Sequence, residues 1–125
     1  MHFFSNIKKL YVLNYYQKFN MDNLIFYVTV PNFEEGKKIA RTLLENKIAA
    51  CVNIIKNIYS TYWWKNEIEE VNESLLIIKT NDKKSNELIK KVNELHTYEV
   101  PECVGIRICK GSRSYIDWIN QVLLN

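Results

Sequence analysis

The stretch "STYWWKNEIEEVNESLLIIKT", residues 60–80, decides how the rest of the chain folds. Tyr62, Trp63 and Trp64 run into a charged, turn-like "KNEI" and then into "EEVNESLLIIKT", where Leu75, Leu76, Ile77 and Ile78 are consecutive and apolar. Successive strand residues point to opposite faces, so neither face of this strand is polar. Upstream, "IAACVNIIKNIYSTYWW" is rich in β-branched and aromatic residues and has no Gly or Pro, which predicts an unusually long strand. The two strands form a hairpin with more aromatic surface than two helices can cover.

The flanking sequence alternates. "NLIFYVTV" stops at Pro31, as a buried strand would. Asn32 with Glu35 three residues on is close to a capping box, and Gly36, Ile39, Ala40, Leu43 and Leu44 then recur at helical spacing. After the hairpin, "NDKKSNELIKKVNELH" predicts a helix capped by Asn81 or Asp82, with Leu88, Ile89, Val92 and Leu95 on one stripe. "ECVGIRIC" predicts a further strand and Gly111 with Ser112 a turn. "SYIDWINQVLL" predicts a last helix with Tyr115, Ile119, Val122 and Leu123 inward. The order βαβ, βαβ, α specifies an α+β fold, the ferredoxin-like sandwich, with its helices on one face of an antiparallel sheet. The bare face needs a cover, and a second copy of the chain is the expected one, reached by the aromatic hairpin.

At 125 residues the chain is long enough for one domain with a real core, expected over residues 23–125. Residues 1–22 read as an extension outside that domain, with three lysines and no acidic residue before Asp22. They lack the unbroken apolar centre of a secretory signal, and with no Arg and one Ser they depart from transit-peptide composition. A cytoplasmic location is expected, with an organelle address in residues 1–22 as the alternative. No segment approaches the ~20 apolar residues of a membrane helix. The net charge of +3 is mild and spread along the chain, so no nucleic-acid partner is indicated.

Cys51, Cys103 and Cys109 have no CxxC spacing, which argues against a disulfide framework and a zinc ribbon. Cys51 is expected to be buried as a small apolar residue. Cys103 and Cys109 would share one face of a regular strand, too far apart to chelate together. His96, the one histidine of the folded part, lies near Glu99 and Glu102. Imidazole is the commonest ligand for copper, nickel and zinc, although a histidine at a helix end also serves the last carbonyls. A Cys103–His96 nucleophilic pair lacks an oxyanion turn and an acidic orienter. "VPNFEEG" lacks the arginine-bearing loop of a ferredoxin-like acylphosphatase, and the RNA-binding signature of this architecture is missing. No enzyme is expected.

"KIAACVNI", "YWWKNEIEE" with "ESLLIIKT", "HTYEVPE" and "YIDWI", in that order from residue 23 to 124, resemble the divalent-cation tolerance protein family, CutA. The resemblance implies a compact homotrimer of ferredoxin-like protomers, similar in architecture to PII signalling proteins. It also implies tolerance of copper and other divalent metals, with no established catalysis. On the family pattern, His96 and Glu73 are the metal positions, and the expected cofactor is a divalent metal ion, copper before zinc. Val28 stands where some relatives have a cysteine, which shifts the expected ion from Cu(I) towards Cu(II) or Zn(II). Thr97 stands where many relatives have proline and is expected to loosen the turn. The alternative is a regulatory trimer with a small anionic effector or a protein partner in the inter-subunit cleft. Trp64, Lys79, His96, Tyr98 and Glu102 are its candidates, Lys79 meeting the anion and Trp64 stacking on a flat group.

Overall fold

A computed structural model of the chain describes residues 23–124. In chain order these form β1 (Asn23–Val30), α1 (Phe33–Glu45), β2 (Cys51–Trp64), β3 (Glu67–Asn81), α2 (Asp82–Leu95), β4 (Val104–Arg107) and α3 (Arg113–Val122). The four strands pair antiparallel throughout, in the order β2-β3-β1-β4. This is the ferredoxin-like sandwich that the element order specified. The reading of residues 1–22 as an extension lies outside the described residues.

The long hairpin closes more tightly than expected. Trp64 pairs with Glu67 and Trp63 with Ile68, so the turn is Lys65 and Asn66 alone, not "KNEI". Both turn residues have positive φ, 49° and 67°, as a two-residue turn matched to strand twist requires. Further down, the β2–β3 register shifts between Ile55 and Ile58, and Asn57 takes a φ of 59° there. A bulge of this kind bends its strand and raises the local twist.

Alternation divides the sheet into two faces. Val28, Val30, Leu76 and Ile78 are sealed against Ile39 and Leu43 of α1 and Leu88 and Val92 of α2. Each such side chain contributes about 1.5–3 kcal/mol of transfer free energy, an upper estimate. A smaller cluster joins Ala50 to Ile116, Ile119 and Leu123. Two helix phases differ from expectation. In α3 it is Ile116 that turns inward, leaving Tyr115 41% exposed. In α2 only the Leu88–Val92 ridge is buried, while Ile89 and Leu95 emerge at its flanks. A helix lying on a sheet buries a stripe narrower than its apolar residues would allow.

On the other face, Tyr27 pairs with both Ile77 and Val104, and Ile25 with Ile106. Val104, Ile106 and Ile55 stand about half exposed there. Gly105 of β4 sits where a Cβ would come within 2.7 Å of the Phe26 ring, so the ring's seat requires a glycine.

Candidate functional site

Glu73 faces Ile58, the residue at which β2 resumes pairing after the bulge. Beyond this point the hairpin lies beside the segment that leaves α2, and a cavity of about 750 Å³ opens between them. Thr29 of β1, Tyr62 and Trp64 of β2, Glu73 of β3 and residues 97–102 line it. That volume is typical of small-molecule sites. Among the described residues, its charged lining is carboxylate only, from Glu73, Glu99 and Glu102, with no Lys or Arg.

Glu73 is 5% exposed. The Tyr98 hydroxyl donates to its Oε2 at 2.7 Å, and no cation among the described residues pairs with it. Burial, and then the hydrogen bond to Glu73 and its negative charge, push the Tyr98 phenol well above its usual range. Tyr98 in turn stacks at a tilt on His96, with centroids 4.7 Å apart.

His96 ends α2 with an extended backbone and donates its own N–H to the Val92 carbonyl. His96 is 8% exposed, and both ring nitrogens are engaged. The Tyr98 backbone N–H donates to Nδ1 at 3.1 Å, and Nε2 lies 2.7 Å from the Thr29 carbonyl. A backbone N–H only donates, so Nδ1 is the acceptor and Nε2 carries the proton. The imidazole is neutral, and the lone pair that a metal would use is taken.

The expected metal pair is therefore close in space but not arranged for coordination. Tyr98 lies between Glu73 and His96, bonded to both. Among the described residues no group of three His, Cys, Asp or Glu side chains is set to hold a metal ion. The single chain does not fit a resident copper ion.

Of the expected effector residues, Trp64, Tyr98 and Glu102 line the cavity and Lys79 does not. Lys79 is six residues along β3 from Glu73, roughly 20 Å at strand rise. Its ammonium instead donates to Asn53 Oδ1 and approaches Cys51 Sγ at 3.9 Å. Cys51 is half-buried beside that lysine, not sealed in the core as expected. β4 spans only Val104–Arg107, so Cys103 and Cys109 both fall outside the regular strand on which their shared face depended. Cys103 is partly buried, and that burial and the Glu102 charge push its thiol up to about 11. Cys109 is exposed.

Two features escaped the sequence reading. Asn32 caps α1 by accepting the Glu35 N–H at 2.8 Å, but the Glu35 carboxylate does not return the bond. It accepts the Thr97 N–H at 3.1 Å and the Thr97 hydroxyl at 2.9 Å. Thr97 thus ties the turn to α1, where it was expected to loosen it; a proline there would have neither donor. Tyr62 is the other, a third ring in the cavity wall.

A ferredoxin-like α+β protein with a carboxylate- and aromatic-lined cavity at the root of a long hairpin is the class defined by this geometry. The family profile described as CutA1 divalent ion tolerance protein matches residues 24–122, and the chain belongs to that family. Among relatives, "Protein CutA, chloroplastic" of Arabidopsis thaliana is 42% identical over 103 residues, covering 82% of this chain and 57% of the relative. "Divalent-cation tolerance protein CutA" of Thermus thermophilus is 40% identical over 97 residues, covering 78% of this chain and 94% of the relative. The chain thus spans little more than half the length of the plant relative. The crystal structure of CutA1 from Oryza sativa aligns with a TM-score of 0.79 at 39% identity, over 82% of this chain and 94% of that one. The structure of the periplasmic divalent cation tolerance protein CutA from Archaeoglobus fulgidus aligns at 0.78 and 39%, over 81% of this chain and 98% of that one. No helix among the described residues is long and apolar enough to cross a membrane.

Proposed function

We propose that the chain, with residues 23–125 as its one domain, is a non-enzymatic homotrimer that binds a divalent cation at Glu73 and serves in metal-ion tolerance or response. One observation carries this reading: Glu73 is a buried carboxylate facing a cavity without a cationic partner among the described residues. An uncompensated buried charge is costly, and a bound cation removes that cost. The half-exposed apolar face of Ile55, Val104 and Ile106 supports self-association. Neighbouring copies would also supply the ligands that one chain lacks. Oxygen donors from Glu73, with Glu99 and Glu102 near, favour Cu(II) or Zn(II) over Cu(I), and Val28 offers no thiolate. Copper remains the first ion to test.

An anionic effector is not part of this reading. Lys79 is away from the cavity, and the charged side chains lining it are negative. A cytoplasmic location is proposed with it. The chloroplastic names of plant relatives favour testing an organelle address in residues 1–22 as well.

Calorimetric titration of Cu(II) into the full chain, alongside Glu73→Gln, tests the metal reading. Saturable binding that disappears in the variant is expected. Binding that is untouched by Glu73→Gln, or no saturable binding by wild type, would sink it.

A further inference from the structure

We infer that the cavity beside Glu73 is a site for an organic ammonium ligand, preferably one with a second ammonium reaching the rim. The inference stands on the cavity and does not depend on the metal reading. A metal ion with six waters fills only about 200 Å³, taking about 30 Å³ per water. The cavity holds about 750 Å³. Most of that space, and the three rings of Tyr62, Trp64 and Tyr98 on its wall, have no use in holding a bare ion.

The chemistry of the lining fits a cation with an apolar body. Aromatic faces attract ammonium groups through their quadrupole, most strongly when desolvated, and Trp is the best of them. The Trp64 ring already attracts one, the Lys65 ammonium at 5.5 Å from its centroid. At the floor, Glu73 uses Oε2 for the Tyr98 hydroxyl, while Oε1 has no hydrogen-bond partner among the described residues. A carboxylate oxygen so deeply buried calls for a donor, and an ammonium supplies both proton and charge. Glu99 and Glu102 are exposed and sit at the mouth. A methylene chain lying along the rings would carry a second ammonium to these rim carboxylates, which makes a diamine the better ligand.

The test compares 1,4-diaminobutane with 1,4-butanediol, which has the same heavy-atom skeleton without charge, by calorimetry on the full chain. Saturable diamine binding is expected, with none by the diol. Glu73→Gln, which keeps an acceptor for Tyr98, should weaken it at least about tenfold, the effect of one charge-assisted hydrogen bond. 1-Aminobutane should bind more weakly than the diamine. Equal binding of diol and diamine, no saturable diamine binding, or wild-type affinity in Glu73→Gln would each overturn the inference. A chain that binds Cu(II) through Glu73 but not the diamine overturns this inference and leaves the metal reading standing. Diamine binding without Cu(II) binding does the reverse.

Discussion

The His96 imidazole joins two segments of the chain: its Nε2–H donates to the Thr29 carbonyl at 2.7 Å while its Nδ1 accepts the Tyr98 N–H at 3.1 Å. β1 and the segment after α2 are thereby fixed to one another through a neutral ring. Replacing the ring with a methyl group strands a carbonyl and an N–H together. His96→Ala should lose about 1–3 kcal/mol of stability, the cost of leaving buried partners unsatisfied. Urea unfolding measures it. A variant as stable as wild type would show that these two contacts do not hold the segments together.

Tyr98 gives the site an alkaline limit. Its phenol is held above the usual value of 10.0, so the folded state retains a proton that the unfolded chain releases. The stability from this group is fully present below pH ~10 and is lost as pH rises through the folded value. Tyrosinate absorbance should show a late-titrating phenol that disappears in Tyr98→Phe. That variant, which strips Glu73 of its donor, should also be about 1.5–3 kcal/mol less stable at neutral pH. Ordinary titration of every phenol would refute the contact.

Gly105→Ala probes the seat of Phe26. The added Cβ would approach the ring to 2.7 Å, and Phe26 is buried, so the ring or β4 must move. A loss of about 1–3 kcal/mol is expected from overpacking. A thermal midpoint unchanged from wild type would mean that β4 yields freely.

Self-association is tested at Ile106, about half exposed on the open face. The wild-type chain should sediment at three times its 14.9 kDa, and Ile106→Glu should shift it towards the single chain. A wild-type monomer at micromolar concentration would remove the trimer from the proposal.

How much of this was legible depended on the range of the interactions. Periodicity located β1, α1, the hairpin and α2 because alternation and helical repeats are written in neighbouring residues. It mis-phased α3, since Tyr115 and Ile116 are both apolar enough to face inward and only the position of the helix on the sheet chooses between them. β4 came out shorter than "ECVGIRIC" because it pairs only with Leu24 to Tyr27 of β1, and β1 runs on to Val30 without it. At the site, Glu73, Tyr98, Trp64 and Glu102 were singled out one by one and do share a cavity. Lys79 does not, because six strand residues carry it along β3 to Cys51 and Asn53. Nor could sequence show that both nitrogens of His96 were spoken for, since one partner lies 67 positions away.

The bulge at Asn57 has a further effect, on the outer edge of β2. β2 is an edge strand of fourteen residues with Tyr59 and Trp63 largely exposed, the sort of long flat border on which identical chains stack into fibrils. The register shift divides that border into 51–55 and 58–64, with the twist raised locally between them. A chain adding along one part cannot continue along the other in register. The bulge thus limits unbounded strand addition at this edge.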